Sequence, residues 1–392
     1  MKFLFIVQGE GRGHLTQAIA LAEIIKKQGH EVSGALVGSG SGHRVQAFFR
    51  EAFPAEIIPF VSPGLAYSRK TRALSLPNTF KALFRHFRQY CSSLFRIDRC
   101  IRELQPDVIV NFYDVLGGLH QVLFRKKAPM VCIAHQYLML HKDFVHPEGN
   151  RLNRFLVNLN SRITALGAEK RLALSFYAGE PDKNIHLVPP LLRDEVKKLD
   201  PGPGDYFLAY VTQQTMADEI AGWQRRFPVN RIHCFSDRPQ EEEVEEVSPN
   251  LFFHRINGSR FLEMMQKCKG VISTAGFESV CEAMLLGKPV LMVPIKNHYE
   301  QTCNAIDGER SGAGLYRNTF AVSDFIRFMA GYTNKRSVFR EWEAAGARLI
   351  LEHLIQPAGN PAAASPSLTP RPFTADNFKA FSFLHQQGQQ PG

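Results

Sequence analysis

Phe3-Leu4-Phe5-Ile6-Val7-Gln8-Gly9-Glu10-Gly11-Arg12-Gly13-His14 is the stretch whose reading decides the fold. Phe3 to Val7 is apolar at every position and rich in β-formers, as a parallel strand buried on both faces reads. Three glycines in alternate positions then strip the side chains from a tight turn. From Leu15 to Gln28, apolar residues fall at 15, 18, 19, 21, 22, 24 and 25, a helical spacing, and Gly29 closes the helix. Strand, glycine turn and helix together make the opening unit of an α/β sheet.

The same rhythm continues outward. Strands are expected at Val32–Val37, Ile57–Phe60, Pro106–Val110, Met130–Ala134 and Ile185–Val188, with a flexible loop at Gly38–Gly42 and helices over Arg44–Phe53 and Gly117–Phe124. Asn111–Gly118 is the loop after one of these strands, and Asp114 stands in it. His135 and Gln136 end another. Pro201-Gly202-Pro203-Gly204 is the clearest linker signal in the chain. A second α/β series follows, with strands at Tyr206–Tyr210, Ile232–Phe235, Leu251–His254, Gly270–Ser273 and Val290–Val293. Helices are expected at Asp218–Phe227, from Gly258 to about Lys267, at Glu278–Leu286, from Gln301, at Phe325–Ala330 and at Ser337–Ile355. The expected organisation is two doubly wound α/β domains: residues 1–195, a linker at 196–204, and 205–335. A helix at 336–356 is a candidate to cross back to the first, and a Pro-, Ala- and Ser-rich tail covers 357–392. Phe373, Phe378, Phe381 and Phe383 make part of that tail a candidate for a short helix.

Composition bounds the function. The 392 residues suffice for two domains, and 44% apolar content supports sizeable cores. The 47 basic and 37 acidic side chains give a formal charge of +10, which suits an anionic ligand or surface, or is ordinary surface charge. The basic residues are not joined to a base-reading module, so no nucleic-acid partner is expected. None of the seven cysteines forms a CxxC pair, which fits reduced, mostly buried thiols and no metal site. The N-terminal apolar run is too short for a signal peptide, and no stretch reaches the length of a membrane span. A cytoplasmic protein is expected.

One segment breaks the rhythm. Between Pro63 and Leu104, Arg69, Lys70, Arg72, Lys81, Arg85, Arg88, Arg96 and Arg99 interleave with Tyr67, Phe80, Phe84, Phe87, Tyr90 and Phe95. Phe80, Leu83, Phe84, Phe87 and Leu94 share one face of a long helix. That stripe reads mainly as core, with an acceptor groove or a membrane-facing patch as the alternative.

The chemistry concentrates in two loops. Gly11, Arg12 and Gly13 let a ligand approach backbone amides over a helix N-terminus. The loop fits only part of the dinucleotide fingerprint, and Glu31 is the nearest acid for an NAD ribose. His14, at the first helical turn, is either a general base for a hydroxyl or a structural histidine. Asp114 is the carboxylate that would orient it, with Glu10 as alternative. The second loop is Ser273-Thr274-Ala275-Gly276-Phe277, at a strand end before a helix, where small residues and free amides can cradle a diphosphate. Glu282 in that helix can accept from a ribose diol, and Glu278 reads as an exposed partner of the helix dipole. Glu300 and Gln301 follow the next strand and can hold sugar hydroxyls.

This second motif resembles the nucleotide-sugar signature of two-domain glycosyltransferases of GT-B architecture. The nearest groups are the N-acetylglucosaminyltransferase acting on lipid-linked muramyl peptide and the diacylglycerol galactosyltransferases. A bacterial and archaeal set of glycosyltransferases opening with Gly-Glu-Gly-x-Gly-His is similar in its first loop. The resemblance implies that Thr274, Ala275 and Gly276 hold a diphosphate. It implies that Glu282, five residues before Gly287-Lys288-Pro289, binds the ribose. Glu300-Gln301, ahead of Asn304-Ala305, would contact the donor sugar, and His14 would be the base. Gly11, Arg12, Gly13, His135 and Gln136 form the acceptor or phosphate side. The tryptophan-containing plant-type signature is absent. The implied activity is inverting, metal-independent transfer from a nucleoside-diphosphate sugar, UDP-linked by preference, to an acceptor hydroxyl on a lipid or cell-envelope glycan. No cofactor is implied beyond that co-substrate, and a peripheral contact at the inner face of a membrane is. The alternatives are a sugar-nucleotide epimerase or hydrolase on the same frame, or a binding protein without a competent base.

Overall fold

The computed structural model describes residues 1–40, 45–64, 76–124, 128–211, 213–238, 240 and 242–356, with side chains from 81 onward in the long third helix. The end of the Gly38–Gly42 loop, the Tyr67–Arg72 part of the basic segment, the Phe80 side chain and the tail with its four phenylalanines lie outside the described residues.

The first half runs β1 (Lys2–Gln8), α1 (Gly13–Lys27), β2 (Glu31–Ser39), α2 (Ala47–Ala52), β3 (Ile57–Val61), α3 (Leu76–Leu104), β4 (Val108–Phe112) and α4 (Val115–Leu123). It continues with β5 (Met130–Ile133), a 3₁₀ turn (His135–Leu140), α5 (Arg151–Thr164), β6 (Lys170–Leu174), β7 (Ile185–Val188) and α6 (Asp194–Lys197). Its seven strands are parallel, in the order β3-β2-β1-β4-β5-β6-β7. Phe3 to Val7 are fully buried at the centre of that sheet. Each such side chain contributes about 1.5–3 kcal/mol by leaving water.

The second half runs β8 (Tyr206–Val211), α7 (Gln214–Arg226), β9 (Arg231–Ser236), β10 (Val244–Ser248), β11 (Leu251–His254), α8 (Gly258–Lys267), β12 (Gly270–Ser273) and α9 (Phe277–Leu285). Then come β13 (Val290–Met292), α10 (Tyr299–Arg310), β14 (Gly314–Tyr316), α11 (Val322–Ala330), α12 (Arg336–Ala344) and α13 (Gly346–Ile355). Its order is β10-β11-β9-β8-β12-β13-β14, parallel except where β10 pairs antiparallel at the edge. Both sheets reverse direction of winding beside their first strand, between β1 and β4 and between β8 and β12. Ligands of such sheets bind outside the carboxyl ends of the strands at that point. The Gly9–Gly13 loop and the Thr274–Gly276 loop stand there, one in each half.

After the second sheet, α12 and α13 lie against the first half. The Trp342 indole donates to Ser175 O at 2.9 Å, Lys197 pairs with Glu343 at 2.6 Å, and Lys170 Nζ donates to Gln356 O at 2.6 Å. The chain therefore passes between the halves twice. The terminal helix, expected as one piece, breaks at Ala345. There Ala345 N bonds to Trp342 O at 3.2 Å, and Gly346 is close enough to Pro189 that a Cβ would come within 3.2 Å.

Several elements depart from expectation. Most of the described α3 stripe is not core, Leu94 alone being partly buried against the core. Phe84, Phe87 and Phe95 are 82%, 60% and 65% exposed, and Leu83 is exposed too. The face that packs inward is Tyr90, Ser93, Ile97, Cys100 and Ile101, spaced at three, four and seven residues. The expected helix at 44–53 shortens to Ala47–Ala52. Unexpected were α5, whose Arg and Asn content masks its apolar positions, β6, which opens on Lys170-Arg171, and the short edge strands β10 and β14. All seven cysteines are unpaired, six of them buried. Among the described residues, no helix is long and apolar enough to cross a membrane.

Candidate active site

The two switch-point loops meet. Gly11, with φ +85°, takes a backbone conformation that side chains resist, and turns the chain into α1. Gly13 makes room of a different kind: a Cβ there would come within 2.9 Å of Glu278 Oε2, at the first turn of α9, and that carboxylate would have to shift. The N-terminus of α9 thus abuts the N-terminus of α1. No side chain caps either helix start. The amides there remain disposed toward an anion.

His14 projects from the first turn of α1 and stacks on Tyr113 with 5.5 Å between ring centroids. Burial pushes its imidazole down to about 4, opposed only in part by Gln17. At neutral pH the ring is therefore uncharged, as a base must be. Its Nδ1 lies 3.3 Å from Gln17 Oε1. Gln17 Nε2 in turn donates to Glu278 Oε1 in the other half.

The structure does not bring Asp114 to His14. Asp114 Oδ1 accepts from Leu116 N at 2.8 Å and Gly117 N at 3.2 Å, the N-cap of α4, and burial raises the carboxyl to about 6. Glu10 points away, its carboxylate packed on Gly64. Glu278 is not the exposed dipole partner expected. It is wedged between the halves, and burial, then the neighbouring Glu282 and Glu300 charges, raise it to about 7.

Ser273 ends β12, with its hydroxyl 3.1 Å from that of Ser279. Thr274 is buried. Ala275 holds φ +60°, an uncommon backbone for a residue with a Cβ, and its carbonyl accepts from Asn304 Nδ2 at 3.1 Å. A Cβ on Gly276 would meet only Ser279 Oγ at 3.5 Å, so one side of this loop is open. Phe277 stacks on His135 at 3.9 Å between centroids, across the halves. His135 also bonds through Nδ1 to Leu174 O at 2.7 Å. Gln136 Nε2 donates to Glu300 Oε1 at 3.0 Å. Gln301 turns inward instead: its Oε1 accepts from Ile295 N at 2.8 Å and fixes the loop between β13 and α10.

Glu282 is buried and engaged by Arg193, a residue the sequence reading missed. Arg193 follows the rigid Pro189-Pro190 exit of the first half, which is the signal that could have singled it out. A Cβ on Gly258 would meet Arg193 Nη1 at 3.3 Å and Arg12 Nη2 at 3.4 Å, so the two guanidinium groups converge at the start of α8. Arg12 also stacks over Phe48 at 4.2 Å. Gln17 was missed as well, although its spacing of three from His14 puts both on one helical face.

The NAD reading fails on position. Glu31 lies at the amino end of β2, whereas the Gly9 loop lies at the carboxyl ends, where Gln8 is in register with Gly38. Among the described residues no group of three or more His, Cys, Asp or Glu side chains could hold a metal ion.

Two α/β halves with facing switch-point loops are the architecture of a GT-B glycosyltransferase. Residues 1–330 match the model described as glycosyl transferase family 1, and the chain belongs to that family. Among its relatives is a UDP-N-acetylglucosamine–N-acetylmuramyl-(pentapeptide) pyrophosphoryl-undecaprenol N-acetylglucosamine transferase of Desulforamulus reducens, 23% identical over 80% of this chain and 85% of the relative. An uncharacterized glycosyltransferase of Methanosarcina mazei is 23% identical over the same shares, 80% and 85%. The crystal structure of the calicheamicin glycosyltransferase superimposes with a TM-score of 0.61 at 14% identity, over 92% of this chain and 99% of that one.

Proposed function

We propose that the protein moves a sugar from a nucleoside-diphosphate donor, UDP-linked, to an acceptor hydroxyl with inversion and without a metal. The observation that carries this is the apposition of an uncharged His14 and the uncapped start of α9. His14 Nε2 takes the proton of the acceptor hydroxyl, whose oxygen attacks the anomeric carbon from the face opposite the diphosphate. The bond from that carbon to the diphosphate oxygen breaks, and negative charge develops on the leaving group. Amides of the Thr274–Gly276 loop, the start of α9, and the Arg12 and Arg193 guanidinium groups stabilise that charge. Glu282 accepts from the ribose diol, exchanging part of its bond to Arg193. Glu300 meets the sugar, and Gln301 shapes its loop. The name of the Desulforamulus relative supports UDP and an envelope-lipid acceptor.

The acceptor surface and a peripheral membrane contact are assigned to the first half. Phe84, Phe87 and Phe95 on α3 are exposed beside Arg85, Arg88, Arg96 and Arg99, and α5 adds exposed Leu152 and Phe155 beside Arg151 and Arg154. Apolar side chains ringed by arginine suit the interface of an anionic bilayer, which supports a peripheral position on the cytoplasmic face. Calorimetry with UDP, GDP and NAD tests the donor. UDP alone is expected to bind, and binding of NAD in its place would sink the reading.

A further inference from the structure

A histidine base must carry its proton on one ring nitrogen and offer the other, and some group has to decide which. The usual orienter, a carboxylate on Nδ1, is missing here, since Asp114 caps α4. What His14 has instead is a chain of two side chains: Nδ1 to Gln17 Oε1 at 3.3 Å, then Gln17 Nε2 to Glu278 Oε1. We infer that Gln17 and Glu278 are positioning residues that set the tautomer of His14 from across the cleft.

An ionised carboxylate only accepts, so Glu278 draws the NH₂ end of the Gln17 amide toward itself. The carbonyl end then faces His14. A carbonyl oxygen also only accepts, so Nδ1 must be the protonated nitrogen, and Nε2 is left with its lone pair. Gln17 thereby transmits the acceptor character of a carboxylate without bringing a charge next to the ring, which agrees with the low proton affinity of the imidazole. Gly13 completes the device, because its missing Cβ is what lets the Glu278 carboxyl reach this position.

Gln17 sits on α1 and Glu278 on α9, 261 residues apart, so the chain exists only while the halves are together. Opening the cleft removes Glu278, and Gln17 is then free to turn over and present its NH₂ to Nδ1, which favours the tautomer protonated on Nε2. The base is competent only against a closed donor half. Water that enters an open cleft therefore meets no base, a guard against loss of the activated sugar. This inference rests on the reading of His14 as the base.

Two nearly isosteric changes test it. Glu278→Gln replaces the obligate acceptor with an amide that can face Gln17 either way, so the tautomer loses its bias. Gln17→Glu combined with Glu278→Gln restores a carboxylate that accepts from Nδ1–H, held from behind by an amide. Imidazole ¹⁵N NMR of His14, in the free protein and with saturating UDP, reads the tautomer. Release of UDP from UDP-N-acetylglucosamine, the donor in the name of the Desulforamulus relative, with a bacterial membrane lipid extract as acceptor and the acceptor-free rate subtracted, reads turnover. The expected result is protonated Nδ1 in the wild type with UDP, a mixed tautomer and a kcat lowered about tenfold or more in Glu278→Gln. Recovery of both is expected in the swapped pair, with KM little changed. If UDP binds and turnover needs His14, but tautomer and kcat ignore residues 17 and 278, the relay is overturned. If the tautomer follows those residues while UDP neither binds nor is released, the relay stands and the transferase reading falls.

Discussion

Arg193 donates from both Nε and Nη2 to a single oxygen of Glu282, at 2.9 and 2.6 Å, and the carboxylate it meets is almost wholly buried. A buried charge that loses its partner costs about 3–5 kcal/mol. Arg193→Ala is therefore expected to lower unfolding stability by roughly 3 kcal/mol in urea titrations. Adding Glu282→Gln, which removes the orphaned charge, should return most of the loss. UDP binding by calorimetry should weaken about tenfold in Glu282→Ala, the worth of hydrogen bonds to a charged group. An unchanged affinity would take Glu282 out of the ribose site.

Replacing His14 by alanine removes the base and leaves the donor loops intact. The expected outcome is a fall in kcat of about 10²–10⁴, with UDP affinity within a factor of about two of the parent. A variant that loses both together would point to His14 as a structural element of the loop.

Acid should disarm the enzyme through Glu278 before it reaches His14. Burial, with Glu282 and Glu300 nearby, raises the Glu278 carboxyl to about 7, and burial lowers His14 to about 4. The titratable groups facing Glu278 are Glu282 and Cys281 on α9 and Glu300 on α10, with Gln17 on α1 between it and His14. A protonated Glu278 can donate, which frees Gln17 to turn and puts the His14 proton on the wrong nitrogen. The active form is the deprotonated one, so kcat is expected to fall as pH drops through about 7, well above the titration of His14. The sign for stability is the reverse: a carboxyl raised in the folded state stabilises as pH falls from its folded toward its unfolded value. A kcat profile that stays flat to pH 5 would contradict this, and in Glu278→Gln the limb near 7 should vanish.

Exposed phenylalanines flanked by arginines predict binding to anionic vesicles. Arg85→Glu with Arg88→Glu should reduce co-sedimentation with phosphatidylglycerol liposomes at least tenfold, since each basic side chain near such a surface is worth about 1 kcal/mol. Phe84→Ser with Phe87→Ser should do the same without altering UDP binding. Sedimentation indifferent to both pairs would remove α3 as a membrane contact.

The frame was legible because its signals are local. Phe3–Val7, the glycines after it and the period of α1 need no distant information, and the same holds around Gly270–Gly276. The spacing of Glu282 from Gly287-Lys288-Pro289 singled it out, and its burial in α9 against Arg193 is what the structure adds. What was not legible depends on partners far along the chain. Asp114 has the right chemistry in the right loop, yet its Oδ1 is taken up in capping α4. Arg193 and Gln17 matter through Glu282 and Glu278, each reached only after the halves fold together. The α3 stripe misled because periodicity gives the width of an apolar face and not what lies opposite it.

The second passage of the chain between the halves, through α12 and α13, has a mechanical meaning. A single connector would act as a swivel, leaving the halves to twist and slide. Two attachment points define a line, and a body held along a line can only swing about it, like a door on a pair of pins. On that account the bonds between the halves, Gln17–Glu278, Gln136–Glu300 and a third in which the Tyr177 hydroxyl donates to Asp307 Oδ1 at 3.0 Å, part in one coordinated stroke rather than separately. Three bonds from the first half, one to α9 and two to α10, would then share one degree of freedom.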